Sequence, residues 1–350
     1  MQFRIGTKNI GDNFEPFIIA EAGINHNGDI ELAKSMIITA KRCGADAVKF
    51  QTFHTEEFIQ DKSVTYTYMS QGKEVTESMY EMFRRNEFSK EEWSIIKHFC
   101  IEQDILFLST PQNVSDLELL LELGIEAIKV GSDDFVNIPL IRRYSQEKLP
   151  MLLSCGMADK AEIDTTLSIV KNNGNSPVVL LLCTSQYPTP PEDVNISKLI
   201  TMHNRYPDVV LGFSDHTQRV EAAIMATALG ARVFEKHFTL SHNLKGPDHW
   251  FSSEPQELKK WCDSIRTAYE MIGYSDLKPS ESEQEMRNIA HRSITALKDI
   301  HTGEFFMDGN IGMRRPGDGI AGAYWDDVVS KKAKHEIKAG KQIKWEDIDE

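Results

Sequence analysis

Eight times along roughly the first 275 residues, a short apolar run ends in polar, chemically capable side chains and then gives way to a helical pattern. The runs fall at 17–22, 47–50, 106–109, 127–130, 151–154, 178–182, 210–213 and 232–238, and helical patterns cover 30–43, 90–103, 114–123, 161–172, 219–229 and 256–272. Near-continuous apolar strands alternating with helices belong to a parallel sheet covered on both faces. Eight such units predict a closed (β/α)8 barrel of the TIM-barrel class rather than an open sheet. No Gly-x-Gly-x-x-Gly follows the first run, which argues against a dinucleotide site.

Two regions break the rhythm. Residues 52–89 form a long polar insertion after the second run, of the size expected of a lid or substrate loop. After Gly273 the pattern stops, and Gly-rich turns with a Lys-rich end follow. The organisation expected is a barrel over 1–275, a polar linker over 276–291 and a small module over 292–350. The longest apolar runs, 17–20 and 178–183, have strand length, so no membrane span is expected. Met1-Gln2-Phe3-Arg4 lacks the apolar core of a signal peptide, which predicts a cytoplasmic protein. The five cysteines are scattered and read as reduced thiols. A net charge of −14 argues against nucleic acid as a partner. Any anionic substrate must then be held by a local cationic cluster.

A barrel gathers the C-terminal ends of its strands at one mouth, where the active site sits. The run ends supply Glu21, then Lys49 and Gln51 on one side of their strand, then Ser109-Thr110-Pro111. Further on come Lys129, Ser132, Asp133-Asp134, Ser154, Thr184-Ser185-Gln186-Tyr187, Ser214-Asp215-His216 and Glu235-Lys236-His237. His216 and His237 end neighbouring strands, with Glu21 next in the circle. Two imidazoles and a carboxylate suit a divalent ion, Mn²⁺ first, that polarises a carbonyl. A lone His is more often a hydrogen-bonded scaffold residue; two at adjacent strand ends favour the metal. Lys49 and Lys129, with hydroxyls of Thr110, Ser132, Ser154, Ser185 and Ser214, form a cationic rim suited to a small phosphorylated and carboxylated substrate. The alternative use of either lysine is a Schiff base. Lys236 alternates away from Glu235 and His237, and reads as facing the helix layer.

These residues lie in stretches that resemble the sialic acid synthase family, whose members make N-acetylneuraminate and related nonulosonic acids. The stretches are Ile18-Ile19-Ala20-Glu21-Ala22-Gly23-Ile24-Asn25-His26-Asn27-Gly28, Lys49-Phe50-Gln51-Thr52, Ser109-Thr110-Pro111, Lys129-Val130-Gly131-Ser132 and Cys183-Thr184-Ser185-Gln186-Tyr187-Pro188-Thr189. Gly212-Phe213-Ser214-Asp215-His216, Glu235-Lys236-His237-Phe238-Thr239 and Gly246-Pro247-Asp248-His249 continue the series, and Arg314-Arg315-Pro316-Gly317 resembles the marker of the family's antifreeze-like (SAF) module. The resemblance implies a metal-dependent condensation of phosphoenolpyruvate with an N-acetylmannosamine-type sugar aldehyde. It implies that His216 and His237 hold the metal, Mn²⁺ with Mg²⁺ or Co²⁺ as alternatives, and that Glu21 acts beside it as ligand, base or water-positioner. Lys49, Thr110, Lys129, Ser132, Ser154, Ser185 and Ser214 would grip phosphate and carboxylate, and Gln51, Tyr187 and Asp248 the sugar. Arg315 would reach the N-acetyl group of the partner subunit's substrate in a domain-swapped homodimer.

The sequence departs from the family at Gln112, where Phe is frequent, at Asp134, where a longer carboxylate is common among substrate-contacting positions, and at Ser185, where Asn is frequent. The insertion shows no match around Lys73-Glu74. These departures bear on the sugar, N-acetylmannosamine or its 2,4-diacetamido-6-deoxy analogue. The rival readings are another phosphoenolpyruvate-condensing barrel, a Schiff-base aldolase and a carbohydrate-binding protein.

Overall fold

A computed structural model describes residues 1–349. The chain divides into two compact units, Met1–Gly273 and Tyr274–Glu350. The first holds eight parallel strands: β1 (Phe17–Gly23), β2 (Ala47–Thr52), β3 (Leu106–Pro111), β4 (Ile128–Val130), β5 (Met151–Ser154), β6 (Val178–Cys183), β7 (Val210–Ser214) and β8 (Val233–His237). Their lateral order is β3-β2-β1-β8-β7-β6-β5-β4, a nearly closed barrel in which its first and last strands pair, Phe17 opposite Val233 and Glu21 opposite His237. Eight helices alternate with them: α1 (Ile30–Arg42), α2 (Lys90–Glu102), α3 (Val114–Glu122), α4 (Ile138–Ser145), α5 (Lys160–Asn173), α6 (Lys198–Arg205), α7 (Glu221–Ala228) and α8 (Pro255–Ile272). The expected barrel stands, and helices α4 and α6, absent from the sequence reading, complete it.

The strands are buried along nearly their whole length because each meets apolar side chains on both faces. Ile18, Val48, Phe107 and Leu180 face the helix layer, whereas Phe17, Ile19, Ala47, Leu108, Leu152 and Val179 fill the barrel. A hairpin of Gln2–Ile5 and Lys8–Gly11 lends Ile5 and Ile10 to that inner cluster, a plug the sequence reading did not anticipate. Burying apolar surface on this scale is what stabilises the barrel, at roughly 25 cal/mol per Å².

The insertion after β2 is built rather than formless. It contains an antiparallel hairpin, Thr65–Ser70 with Lys73–Ser78, flanked by the helical turns Thr55–Phe58 and Met79–Arg84. Glu87 ties its two ends together, accepting from Thr55 N at 3.0 Å and Thr55 Oγ1 at 2.7 Å. The hairpin tip docks on the loop after β8: Gln71 Nε2 donates to Asn243 O at 2.7 Å and Gly246 N to Ser70 Oγ at 3.3 Å.

The second unit carries its own apolar cluster, including Ile294, Phe306, Ile311, Val328 and Ile343, around short strand pairs. The linker expected over 276–291 is corrected in one respect: it contains the helix Glu281–Ala290. Ser280 and Glu283 start that helix with reciprocal side-chain-to-backbone bonds, a signal present in the sequence but masked by its polarity.

Candidate active site

The mouth of the barrel is laid out by strand alternation. Lys49, midway along β2, points inward, and its Nζ lies 2.8 Å from Glu21 Oε2 and 3.0 Å from Thr110 Oγ1. Lys129, from β4, donates to Ser154 Oγ at 2.9 Å and to the Val130 carbonyl at 2.8 Å. Glu235 stands between the two lysines, with Oε2 3.6 Å from Lys49 Nζ and Oε1 3.7 Å from Lys129 Nζ, and accepts from Ser214 Oγ at 3.1 Å. All four charged groups are buried. Buried charges are tolerated only when paired, and here two ammoniums face two carboxylates.

Their environments differ. Burial pushes the Glu21 carboxyl up, and Lys49 offsets only part of that rise. Burial acts on Glu235 in the same direction, but Lys129 and Lys49 together overcome it and hold the group below the usual carboxylate range. Burial also favours neutral lysine; at Lys49 the carboxylates Glu21 and Glu235 prevail and raise the pKa, while Lys129 is left lowered. Two carboxyls pushed apart in this way suit opposite proton-transfer roles.

A second cluster gathers hydroxyls. Ser132 Oγ accepts from Gly156 N at 3.1 Å, and a Cβ placed on Gly156 would lie 2.5 Å from Ser185 Oγ and 2.6 Å from Ser132 Oγ. Only glycine leaves room for these hydroxyls to converge. Ser185 Oγ is buried with no partner.

The opposite side of the mouth is the histidine corner. The imidazoles of His216 and His237 have ring centroids 5.5 Å apart. Tyr187 lies against His216, tilted by 40° with ring centroids 4.2 Å apart, and meets His237 edge-on at 5.8 Å. His216 Nδ1 donates to the Thr184 carbonyl at 2.8 Å; burial disfavours its charged form, but Cys183 and that carbonyl outweigh burial and raise its pKa. His237 Nδ1 is buried with no partner, and desolvation of the ring together with repulsion from His216 and Lys49 holds it neutral. Two imidazoles at this spacing, each offering a ring nitrogen once deprotonated, fit the donor set of a divalent ion bound through about 2.1 Å bonds. No group of three His, Cys, Asp or Glu side chains able to hold a metal occurs among the described residues, so the two histidines stand without a third such side chain. Glu21 is drawn instead to Lys49. Its Oε1, Gln51 Nε2 and His237 Nδ1 nevertheless surround Gly23, whose positive φ of 52° follows a break in the β1–β2 register.

The remaining expected residues divide. Gln51 Nε2 lies 3.5 Å from Glu21 Oε1. Burial pushes the Asp248 carboxyl up to about 6, with His216 opposing. Asp134 is the exception, because its Oδ1 accepts from Asn137 Nδ2 at 2.9 Å, at the start of α4. Arg315 belongs to the second unit, where it is exposed and its Nε donates to Ala290 O at 2.9 Å. Lys236 faces the helix layer as expected, with Nζ 3.3 Å from Asp215 Oδ2, which also accepts from Trp261 Nε1 at 2.8 Å. Glu235 was read only as a strand-end residue. Its sharing of a face with His237, two residues on, was the available signal of its place between the lysines.

A nearly closed barrel with this mouth, followed by a module of the antifreeze-like type, defines the class. A model of the NeuB family matches residues 36–276 and one of the SAF domain matches residues 291–349. The chain belongs to the NeuB family. It is 35% identical over 348 residues to the N,N'-diacetyllegionaminic acid synthase of Legionella pneumophila, covering 98% of both chains. It is 38% identical over 330 residues to the enzyme of the same name from Campylobacter jejuni, covering 93% of this chain and 98% of that one. The crystal structure of an N-acetylneuraminic acid synthetase from Leptospira borgpetersenii, in complex with citrate, matches at 36% identity with a TM-score of 0.73, over 82% of this chain and 95% of that one. No helix among the described residues is long and apolar enough to cross a membrane.

Proposed function

We propose that this chain is a cytoplasmic nonulosonic acid synthase, a metal-dependent transferase that condenses phosphoenolpyruvate and water with an N-acetylmannosamine-type sugar aldehyde. The observation that carries the reading is the pair of buried ammoniums, Lys49 and Lys129, set with their carboxylates beside two adjacent imidazoles. The names of its full-length relatives support the 2,4-diacetamido-6-deoxy sugar, giving N,N'-diacetyllegionaminate, as the first acceptor to test, with N-acetylmannosamine, giving N-acetylneuraminate, second.

In the condensation, C3 of phosphoenolpyruvate bonds to the aldehyde carbon and the aldehyde oxygen takes up a proton. Water oxygen joins C2, one of its protons going to the aldehyde oxygen and the other to the phosphate, and the C2–O bond to phosphate breaks to leave a C2 carbonyl. Lys49, Lys129 and the hydroxyls of Thr110, Ser132, Ser154, Ser185 and Ser214 bind the phosphate and carboxylate as charge-assisted hydrogen-bond donors. Gln51, Tyr187 and Asp248 orient the sugar. His216 and His237 would hold the ion, Mn²⁺ first, which when bound polarises the aldehyde. Glu21, the carboxyl that burial keeps most basic, holds or passes a proton at Oε1. Arg315 serves the partner subunit's sugar in a domain-swapped homodimer. Arg315→Ala is expected to raise KM for the sugar by about 1.5–3 kcal/mol in free-energy terms.

The deciding assay is phosphate release from phosphoenolpyruvate with each sugar. Release that needs an acetamido sugar, stops with chelator and returns with Mn²⁺ is expected. Release with a short aldose phosphate alone would assign the chain to another condensation. The lowered pKa of Lys129 favours one rival, a Schiff-base lyase. Borohydride trapping of substrate on that lysine, with activity surviving chelation, would establish it instead.

A further inference from the structure

The side-chain amide of Gln112 is a buried polar group at the mouth that the proposed condensation leaves without a task. Its backbone N–H donates to the Thr52 carbonyl at 3.1 Å, which carries the β2–β3 ladder one residue past the pairing of Thr52 with Pro111. Strand alternation then sets its side chain on the same face as Thr110, the residue whose hydroxyl accepts from Lys49. The Tyr144 hydroxyl lies 3.0 Å from Pro111 O and 3.1 Å from Asn113 O, clamping the backbone on both sides of Gln112. The residue is 9% exposed, and its Oε1 is buried with no hydrogen-bond partner. A buried amide oxygen without a donor is a standing cost that folded proteins rarely leave in place, except where something else supplies the donor.

We propose that Gln112 is a specificity-determining residue for the acceptor sugar, its Oε1 accepting a hydrogen bond from an acetamido N–H. The inference rests on the synthase reading above. Two features select the ligand group. An amide oxygen only accepts, so the ligand must donate. A sugar hydroxyl can turn a lone pair toward Oε1 as readily as its proton, whereas an amide N–H can only donate there. Position selects the substrate: Gln112 stands one step outward from Thr110, above the phosphate-gripping residues rather than among them.

The test is steady-state kinetics of Gln112→Met, which keeps the length of the side chain and removes its acceptor, and of Gln112→Glu, which restores an acceptor. Both are measured with the diacetamido sugar and with N-acetylmannosamine. The Met variant is expected to raise KM for the preferred sugar about tenfold or more, the effect of unpairing a group built to bond a substrate N–H. KM for phosphoenolpyruvate should stay within about twofold, and the Glu variant should recover most of the loss. The melting temperature of the Met variant without substrates should hold or rise, since an unpaired buried acceptor has been removed. An unchanged sugar KM, an equal rise for phosphoenolpyruvate, or no recovery with Glu would each overturn the proposal. A wild-type enzyme that turns over no acetamido sugar refutes the synthase reading itself, before any Gln112 variant is compared.

Discussion

The lysine floor and the histidine corner of the mouth are built to opposite rules. On the floor, Lys49, Lys129, Glu21 and Glu235 satisfy one another, and Thr110, Ser154 and Ser214 fill in the hydrogen bonds. At the corner, His216 spends one nitrogen on the Thr184 carbonyl and His237 leaves Nδ1 unpaired. The floor is preorganised by internal charge, so its members should matter to stability as well as to activity. The corner is held in place by tilted and edge-on contacts with Tyr187 and Phe251, so its members should matter to activity alone.

Removing either imidazole should give the largest effect. His237→Ala or His216→Ala is expected to lower Mn²⁺-supported phosphate release on the order of 10³-fold or more, the scale of losing electrostatic stabilisation at a reacting carbonyl. Far-UV circular dichroism and the urea midpoint should barely move, and a variant that stays active erases the contrast between corner and floor. On the floor, Glu235→Gln leaves two buried ammoniums short of a carboxylate. A loss of about 3 kcal/mol in urea unfolding, at unchanged m-value, is expected; a stability equal to wild type would show that the floor is not held by charge.

His26 sharpens the comparison, because it is a buried imidazole outside both regions. It stacks on Phe88 at 4.3 Å and accepts from Gly28 N at 3.1 Å, and burial lowers its pKa to about 3. A histidine with a depressed folded-state pKa binds fewer protons folded than unfolded between about pH 3 and its ordinary pKa of about 6.5. Stability is therefore fully present above that ordinary value and is lost as pH falls through the window, by at most about 1.4 kcal/mol per unit. His26→Gln should flatten the fall in unfolding free energy between pH 6.5 and pH 5 by roughly 1 kcal/mol, without touching catalysis at neutral pH. The smallest effect is expected at the lid: Gln71→Ala removes one exposed bond to Asn243 O and should cost well under about 1 kcal/mol, seen as a slight rise in sugar KM.

Much of the mouth was legible in the sequence because barrel geometry is periodic. Once the eight apolar runs are found, their last residues must converge, and Glu21, Lys49, Lys129, His216 and His237 follow from counting along each strand. The sequence reading stopped where local pattern is silent. The hairpin of Gln2–Ile5 and Lys8–Gly11 is too short to show a period, and its role as a plug depends on which end of the barrel it meets. Asp134 sits beside a strand end like the others, but a local bond to Asn137 captures it. Helix Glu281–Ala290 buries none of its residues, so it lacks the apolar stripe by which helices are found.

The order and spacing of residues, by themselves, determined the barrel, the chemical types at its mouth and the resemblance that names the family. Period-2 alternation and the common direction of parallel strands require no knowledge of distant contacts. Only the tertiary structure decided the pairings. That Glu21 turns to Lys49, that Glu235 bridges two lysines, and that Gln112 keeps an empty acceptor depend on side chains from strands far apart in the chain. Electrostatics at such short range, in a buried space, is set by tenths of an ångström that no linear pattern encodes.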